Sequence, residues 1–312
     1  MPNQAPFEIS DQKVVPGTRA QIDLPISTLP DHTPVGLSLE VVHGKRQGPT
    51  MFVSAAVHGD ELIGVEIVRR LLRAPQLKSL RGTLLVIPVV NSFGFLNRSR
   101  YLPDRRDLNR CFPGHPSGSL GSRLAHIFLN EVVLRCDFGI DLHSAAIHRT
   151  NLPQVRISPS DPVTRRMAIN FAAPVVLTSP LRDGSLRAVA GAEEMLPAKG
   201  IASSRRQPHV CSSSSWLRAP VGGLLRTFRA EGETVAAGDA LATVSDPFGK
   251  TETDIVAPHD GILIGRAILP VVNEGDAVFH LAKLLPRAVA NTVEDMITQL
   301  ESDPLFDEDE II

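Results

Sequence analysis

Residues 49–72 read PTMFVSAAVHGDELIGVEIVRRLL, and this stretch decides the fold. Its first nine residues are a short apolar run with no period, the pattern of a strand buried on both faces. From Asp60 onward, apolar residues fall at Leu62, Val65, Val68, Leu71 and Leu72, which is helical spacing. The acidic pair Asp60-Glu61 at its start suits a helix N-terminus. Working outward, the same unit recurs. Residues 83–90 (TLLVIPVV) predict a second buried strand, 122–134 a second helix, and 138–142 a third strand that ends in the polar His143 and Ser144. Buried strands alternating with helices predict an α/β fold with a mostly parallel mixed sheet and helices on both faces. Residues 1–48 are rich in proline and polar residues, with one strand-like stretch at 35–42, and read as an N-terminal extension.

The texture changes near residue 202. SSRRQPH at 203–209 and CSSSSW at 211–216 form a polar, serine-rich bridge. Glycine-punctuated β-type runs then continue to about residue 284, and they contain a repeat. Ala219-Pro220-Val221-Gly222-Gly223-Leu224-Leu225 is echoed by Ala257-Pro258-His259-Asp260-Gly261-Ile262-Leu263. Each copy leads to an acidic-Gly-acidic turn, Glu231-Gly232-Glu233 or Glu274-Gly275-Asp276, and then to an apolar strand. Two such halves predict two similar β units packed as a small barrel or sandwich. The expected domains are therefore 1–202 (α/β), 203–285 (small, all-β) and 286–312 (a helix and an acidic tail). In the last, Val289, Val293, Met296, Ile297 and Leu300 share one helical face, which would dock on the body or on a partner subunit, so a homo-oligomer stays open.

The 312 residues carry a formal charge of −2, which gives no basic surplus for nucleic acid or an anionic membrane. Cys111, Cys136 and Cys211 are far apart and odd in number, so they suit neither a disulfide framework nor paired metal spacing, and they imply a reducing compartment. No apolar run approaches the roughly 18 residues of a membrane span. The first ten residues lack the basic and apolar regions of a secretory signal. A soluble, cytoplasmic protein is expected.

The chemistry concentrates at strand ends. His58 and Glu61 sit three apart across the first strand-to-helix junction, where ligands of α/β sheets usually bind. Alone, H-x-x-E is a weak motif; its place at the junction strengthens it. His143 ends a second buried strand. Two histidines and one glutamate make the donor set of an open catalytic zinc site, with a position left for water. Taken alone, His143 also admits the lesser reading of a satisfied strand-end histidine. Asp141, two residues before it, could orient the imidazole or be an ordinary strand-end acid. Residues 97–110 (NRSRYLPDRRDLNR) follow the second buried strand and should emerge at the same sheet edge. An Asn-Arg pair such as Asn109-Arg110 can clamp a substrate carboxylate while another arginine polarises the carbonyl under attack. Arg98, Arg105 and Arg106 read as a solvated loop.

Taken in order, HGDE at 58–61, RYLPDRRDLNR at 100–110 and DLHS at 141–144 resemble the succinylglutamate desuccinylase/aspartoacylase family, relatives of the M14-type zinc carboxypeptidases. The resemblance covers about residues 48–190. It implies Zn2+ held by His58, Glu61 and His143, a substrate carboxylate held by Asn109 and Arg110, and an oxyanion stabilised by Arg100. It implies a small N-acyl amino acid as substrate. The repeat-bearing domain is similar to the biotinyl/lipoyl-like β fold. It has no lysine in a Met-Lys or Asp-Lys context, so no biotin or lipoate is expected.

One departure matters. The family places a general-base glutamate on a later strand. Here the strand at 174–178 (PVVLT) holds no acid, and residues 181–197 lead almost directly into the linker. A strand, the glutamate and a helix look deleted, with Glu193 and Glu194 the nearest acids. Glu193 is the candidate base. Three functions follow: a zinc-dependent deacylase, a zinc- or ligand-binding relative without turnover, and a metallocarboxypeptidase.

Overall fold

The first sheet grows from two kinds of strand pattern. A computed structural model describes residues 4–145, 147–158, 162–190 and 208–284. Within it, β1 (Phe7–Ile9) and β2 (Gln12–Val14) form an antiparallel pair. They are followed by β3 (Arg19–Thr28), β4 (Pro34–His43), β5 (Arg46–Ala55), α1 (Ile63–Leu71), β6 (Arg81–Ile87), α2 (Ser92–Asn97), α3 (Leu120–Glu131) and β7 (Phe138–Leu142). In β3, Ile22, Leu24 and Ile26 turn inward while their neighbours stay exposed, the period-two pattern of a strand with one wet face. In β6, every residue from Gly82 to Ile87 is buried, as a central strand requires.

These strands form one five-stranded sheet in the order β3-β4-β6-β5-β7. The β3–β4 and β4–β6 pairs are antiparallel, and β5 pairs in parallel with β6 and β7. The sheet is therefore mixed in equal parts, which corrects the expectation of a mostly parallel one. The reason is the N-terminal stretch: residues read as a polar extension supply β1, β2 and β3, and β3–β4 is a long antiparallel hairpin.

Both faces carry helices. On one, Leu124, Ala125, Phe128 and Leu129 of α3 pack with Ile22, Leu24, Leu37, Leu39, Phe52 and Leu85. On the other, Val65, Val68 and Leu71 of α1 pack with Val42, Val53, Leu84 and Val86. Adjacent strand residues such as Phe52 and Val53 thus serve opposite cores.

A second compact unit gathers residues 145–180 with the described part of 198–312, while 181–190 group with the first unit. This differs from a boundary near 202 and from an all-β second domain. Strands β8 (Arg149–Asn151), β9 (Gln154–Ile157) and β10 (Val175–Thr178), with helix α4 (Pro162–Phe171) between the last two, join strands from the C-terminal part. Helix α5 (Leu186–Ala190) belongs to the first unit. The later strands are β11 (His209–Arg218), β12 (Gly223–Thr227), β13 (Thr234–Val235), β14 (Ala240–Ser245), β15 (Glu252–Val256), β16 (Gly261–Ala267), β17 (Val271–Val272) and β18 (Ala277–Leu284). One sheet runs β13-β16-β18-β11-β10-β9, with β8 added to β16; the other runs β15-β14-β12-β17.

The two sheets share a core in which Leu225, Leu241, Val244 and Ile255 meet Val235, Leu263, Phe279 and Leu281. The repeat is physical. At both acidic-Gly-acidic turns the glycine is left-handed, Gly232 at φ 93° and Gly275 at φ 87°. At both, the acid after it takes the backbone N–H three residues earlier, Ala230 N to Glu233 and Asn273 N to Asp276, each at 2.8 Å. The helix expected within 286–312 lies outside the described residues.

Phe128 is fully buried and meets the rings of Phe52 and Phe112 edge-on at 5.9 and 6.3 Å. Phe128→Ala is expected to lower the unfolding free energy by about 3–5 kcal/mol in denaturant titrations followed by far-UV circular dichroism. Phe248→Ala, at a side chain 84% exposed, should change it by less than about 0.5 kcal/mol. Equal effects at the two sites would contradict this placement of the core.

Candidate metal centre

Register brings the site together. In the parallel β5–β7 pair, Ser54 lies opposite Asp141 and Ala55 opposite Leu142. His143 therefore leaves β7 at the same sheet end at which the chain turns from β5 through His58 into α1. The turn is held from several sides. Ala56 adopts a left-handed φ of 51°, and its carbonyl accepts Asn91 N at 2.9 Å. Glu61 N donates to His58 O at 3.2 Å, which folds the two side chains to one side. Gly59 lies so close to α2 that an added Cβ would stand 1.9 Å from the Gly94 carbonyl carbon. No larger residue fits there.

His58 and Glu61 are almost fully buried, while the His143 side chain is 33% exposed. One ligand atom from each of the three lies within 4.8 Å of the others. His58 Nδ1 is 2.7 Å from Glu61 Oε1, His143 Nδ1 is 2.9 Å from Glu61 Oε2, and Ser144 N donates to Oε2 at 2.8 Å. The far nitrogens meet carboxylates: His58 Nε2 is 3.1 Å from Asp107 Oδ1, and His143 Nε2 is 2.7 Å from Asp141 Oδ2. Ser54 Oγ donates to the other Asp141 oxygen at 2.7 Å. A carboxylate at Nε2 fixes each ring and turns its Nδ1 toward Glu61, the arrangement that orients metal-ligating histidines. Of the two readings open for Asp141, the contact favours the orienting one.

The electrostatics agree. Burial works against ionising Glu61, but His143 and His58 outweigh it and hold the carboxyl well below the usual range. Burial likewise works against a charged His143, yet Asp141 and Glu61 raise it well above an ordinary imidazole. Asp107, also opposed by burial, is held low by His58, Arg100 and the Asn109 N–H. Three carboxylates, Glu61, Asp107 and Asp141, surround the two imidazoles and the Arg100 guanidinium, an acid-rich cluster suited to a divalent cation. The donor set fits zinc.

Arg100 reaches the cluster. Its Nε and Nη2 donate to Asp107 Oδ2 at 3.1 and 2.8 Å, and its Nη1 lies 3.4 Å from His58 Nδ1 and 3.8 Å from Glu61 Oε1. Asn109 and Arg110 follow Asp107 on one short turn. Asn109 Oδ1 accepts Leu186 N at 2.9 Å, tethering the start of α5, and Arg110 Nη1 donates to Asn109 O at 2.6 Å. Glu193 and Glu194 lie outside the described residues. Asp107 and Ser54 were not singled out in the sequence. Asp107 was detectable as the acid two residues before Asn109, and Ser54 as the polar residue inside a buried run.

A mixed α/β sheet whose strand ends gather two histidines and a glutamate offers a donor set of the kind that can hold one divalent ion. Residues 47–194 match the succinylglutamate desuccinylase/aspartoacylase catalytic domain. An N-alpha-acetyl-L-2,4-diaminobutyric acid deacetylase from Halomonas elongata is 25% identical over 285 residues, covering 77% of this chain and 83% of that protein. The fold is shared with the ectoine utilization protein EutE (DoeB) from Ruegeria pomeroyi, at TM-score 0.71 and 21% identity, over 89% of this chain and 99% of the other. A putative family member from Shewanella frigidimarina matches at TM-score 0.73 and 16% identity, over 86% and 98%. Among the described residues, no helix is long and apolar enough to cross a membrane.

Asp141→Ala is expected to weaken zinc binding about 10- to 100-fold in competition with a chromophoric chelator, with the circular dichroism spectrum unchanged. Unaltered affinity would show that Asp141 does not orient His143.

Proposed function

We propose that the chain is a zinc-dependent deacylase that hydrolyses the amide bond of an N-acyl amino acid or a similar small molecule. The observation that carries this reading is the meeting of His58, Glu61 and His143 donor atoms within 4.8 Å at one sheet end. The deacetylase relative supports a small N-acyl substrate. Zinc held there supplies a Lewis acid for the attacking water and for the acyl carbonyl.

The protein's own residues do the rest. Asp107 and Asp141 keep both imidazoles aimed inward. Arg100, anchored on Asp107, takes up negative charge as it develops on the carbonyl oxygen. Asn109 and Arg110 bind the substrate carboxylate, the first through its NH2 end, the second through its guanidinium. Glu193 is the candidate for moving the proton from water to the leaving amine.

A second reading, a relative that binds zinc or an acyl amino acid without turning it over, has two observations in its favour. Asp107 and Asp141, the carboxylates that accompany Glu61, are committed to imidazole Nε2 atoms. The alignment with the deacetylase spans 285 residues yet takes in only 77% of these 312, so the relative carries residues that have no counterpart here.

Metal analysis and amide hydrolysis separate the readings. Purified protein should carry one zinc per chain and hydrolyse at least one of N-acetyl-L-2,4-diaminobutyrate, N-acetyl-L-aspartate and N-succinyl-L-glutamate. Chelation should abolish the activity and zinc should restore it. Arg110→Ala should raise KM more than it lowers kcat, and Glu193→Gln should lower kcat about 10²- to 10⁴-fold. Bound zinc without turnover of any substrate would favour the second reading, and a folded protein that binds no metal would contradict both zinc readings.

A further inference from the structure

The Asp107 carboxylate touches two groups that the deacylase reading gives different tasks. Its Oδ1 meets His58 Nε2 at 3.1 Å and accepts Asn109 N at 2.8 Å. Its Oδ2 accepts Arg100 Nε at 3.1 Å and Nη2 at 2.8 Å. The side chain is 12% exposed, so water competes weakly for these bonds. Each carboxylate oxygen has two acceptor positions, and all four are used.

A guanidinium is a rigid plane. With two of its nitrogens held on Oδ2, the third is restricted to a short arc. That third nitrogen, Nη1, falls 3.4 Å from His58 Nδ1 and 3.8 Å from Glu61 Oε1, beside the ligand atoms. One carboxylate therefore sets both the orientation of a metal ligand and the distance of a cation from the metal position. Glu61 touches both histidines and lies 3.8 Å from Arg100 Nη1 without a hydrogen bond to it, and among the described residues the hydrogen bonds of the Asp141 side chain go to His143 and Ser54.

We infer that Asp107 is a shared positioning residue: it couples His58 to Arg100, so that metal affinity and oxyanion stabilisation are set together rather than independently. The role given to Arg100 rests on the deacylase reading; the coupling of its charge to the metal position does not. Asp107→Asn keeps an oxygen for His58 Nε2 and the Asn109 N–H but presents NH2 where Arg100 needs an acceptor. It should break the two bonds from Arg100 to Oδ2 and spare the turn.

A double-substitution cycle of Arg100→Ala and Asp107→Asn tests this with two readouts: zinc affinity by chelator competition, and kcat with N-acetyl-L-2,4-diaminobutyrate. In the wild-type background, Arg100→Ala should tighten zinc several-fold, because a cation leaves the ligand atoms, and should lower kcat about 10²-fold. In the Asp107→Asn background the same change should move either quantity less than about twofold. Effects that multiply in both readouts overturn the coupling. Should Asp107→Asn fail to fold, Arg100→Lys keeps the charge and loses the fork: kcat should fall as for Arg100→Ala, and a kcat within about threefold of wild type overturns the inference. The two failures differ. A wild type that takes up no zinc and hydrolyses nothing defeats the deacylase reading. Multiplying effects in a zinc-binding wild type, active or not, defeat only the coupling.

Discussion

Both oxygens of the buried Glu61 carboxylate are taken, Oε1 by His58 Nδ1 and Oε2 by His143 Nδ1 and Ser144 N. A carboxylate removed from water costs several kcal/mol unless charge and hydrogen bonds compensate it. Here the compensation comes from two strand ends that are far apart in the chain. His58 follows β5, His143 follows β7, and only their parallel pairing in register brings them to the same carboxylate. The outer ring of acids repeats the logic: Asp141 is placed by its neighbour Ser54 across that pairing, and Asp107 by the loop after α2. The result is a cluster in which three carboxylates hold two imidazoles with their Nδ1 atoms turned to one point, a donor set that suits a divalent cation.

Much of the first sheet was legible in local pattern. The residues 138–142 read as a strand are those of β7, because a polar residue bounds the run on each side. The continuous apolar runs of β5 and β6 were equally plain. The helix read from Asp60 begins only at Ile63, because the Glu61 N–H closes a turn on His58 O. Strand β3 is hidden in the sequence although Ile22, Leu24 and Ile26 alternate, since its outward residues give it a polar average. The strand read at 174–178 exists as β10, but its neighbours are β9 and β11. Local periodicity does not encode which strand a buried strand pairs with, so the grouping of 145–180 with the C-terminal unit lay beyond it.

The site shows the same split. His58, Glu61 and His143 could be read from residue type and strand-end position, because metal chemistry restricts the donors. Asp107 is visible in the sequence only as an acid near Asn109, because its meaning is a contact across 49 residues with the far nitrogen of His58. Residues that bind a metal announce themselves by chemistry, and residues that orient those ligands do so only by proximity. In the β unit, by contrast, the repeat carried its structure openly, since a left-handed glycine followed by a capping acid is a local device that recurs wherever the turn does.

Anomalous diffraction at the zinc absorption edge, from crystals of protein purified without chelators, addresses the joining of the two strand ends at one ion. The expected result is a single strong peak with His58 Nδ1, His143 Nδ1 and a Glu61 carboxylate oxygen at about 2.0–2.2 Å. A map with no zinc peak at these side chains, in a protein whose strands β5 and β7 pair as described, would contradict it.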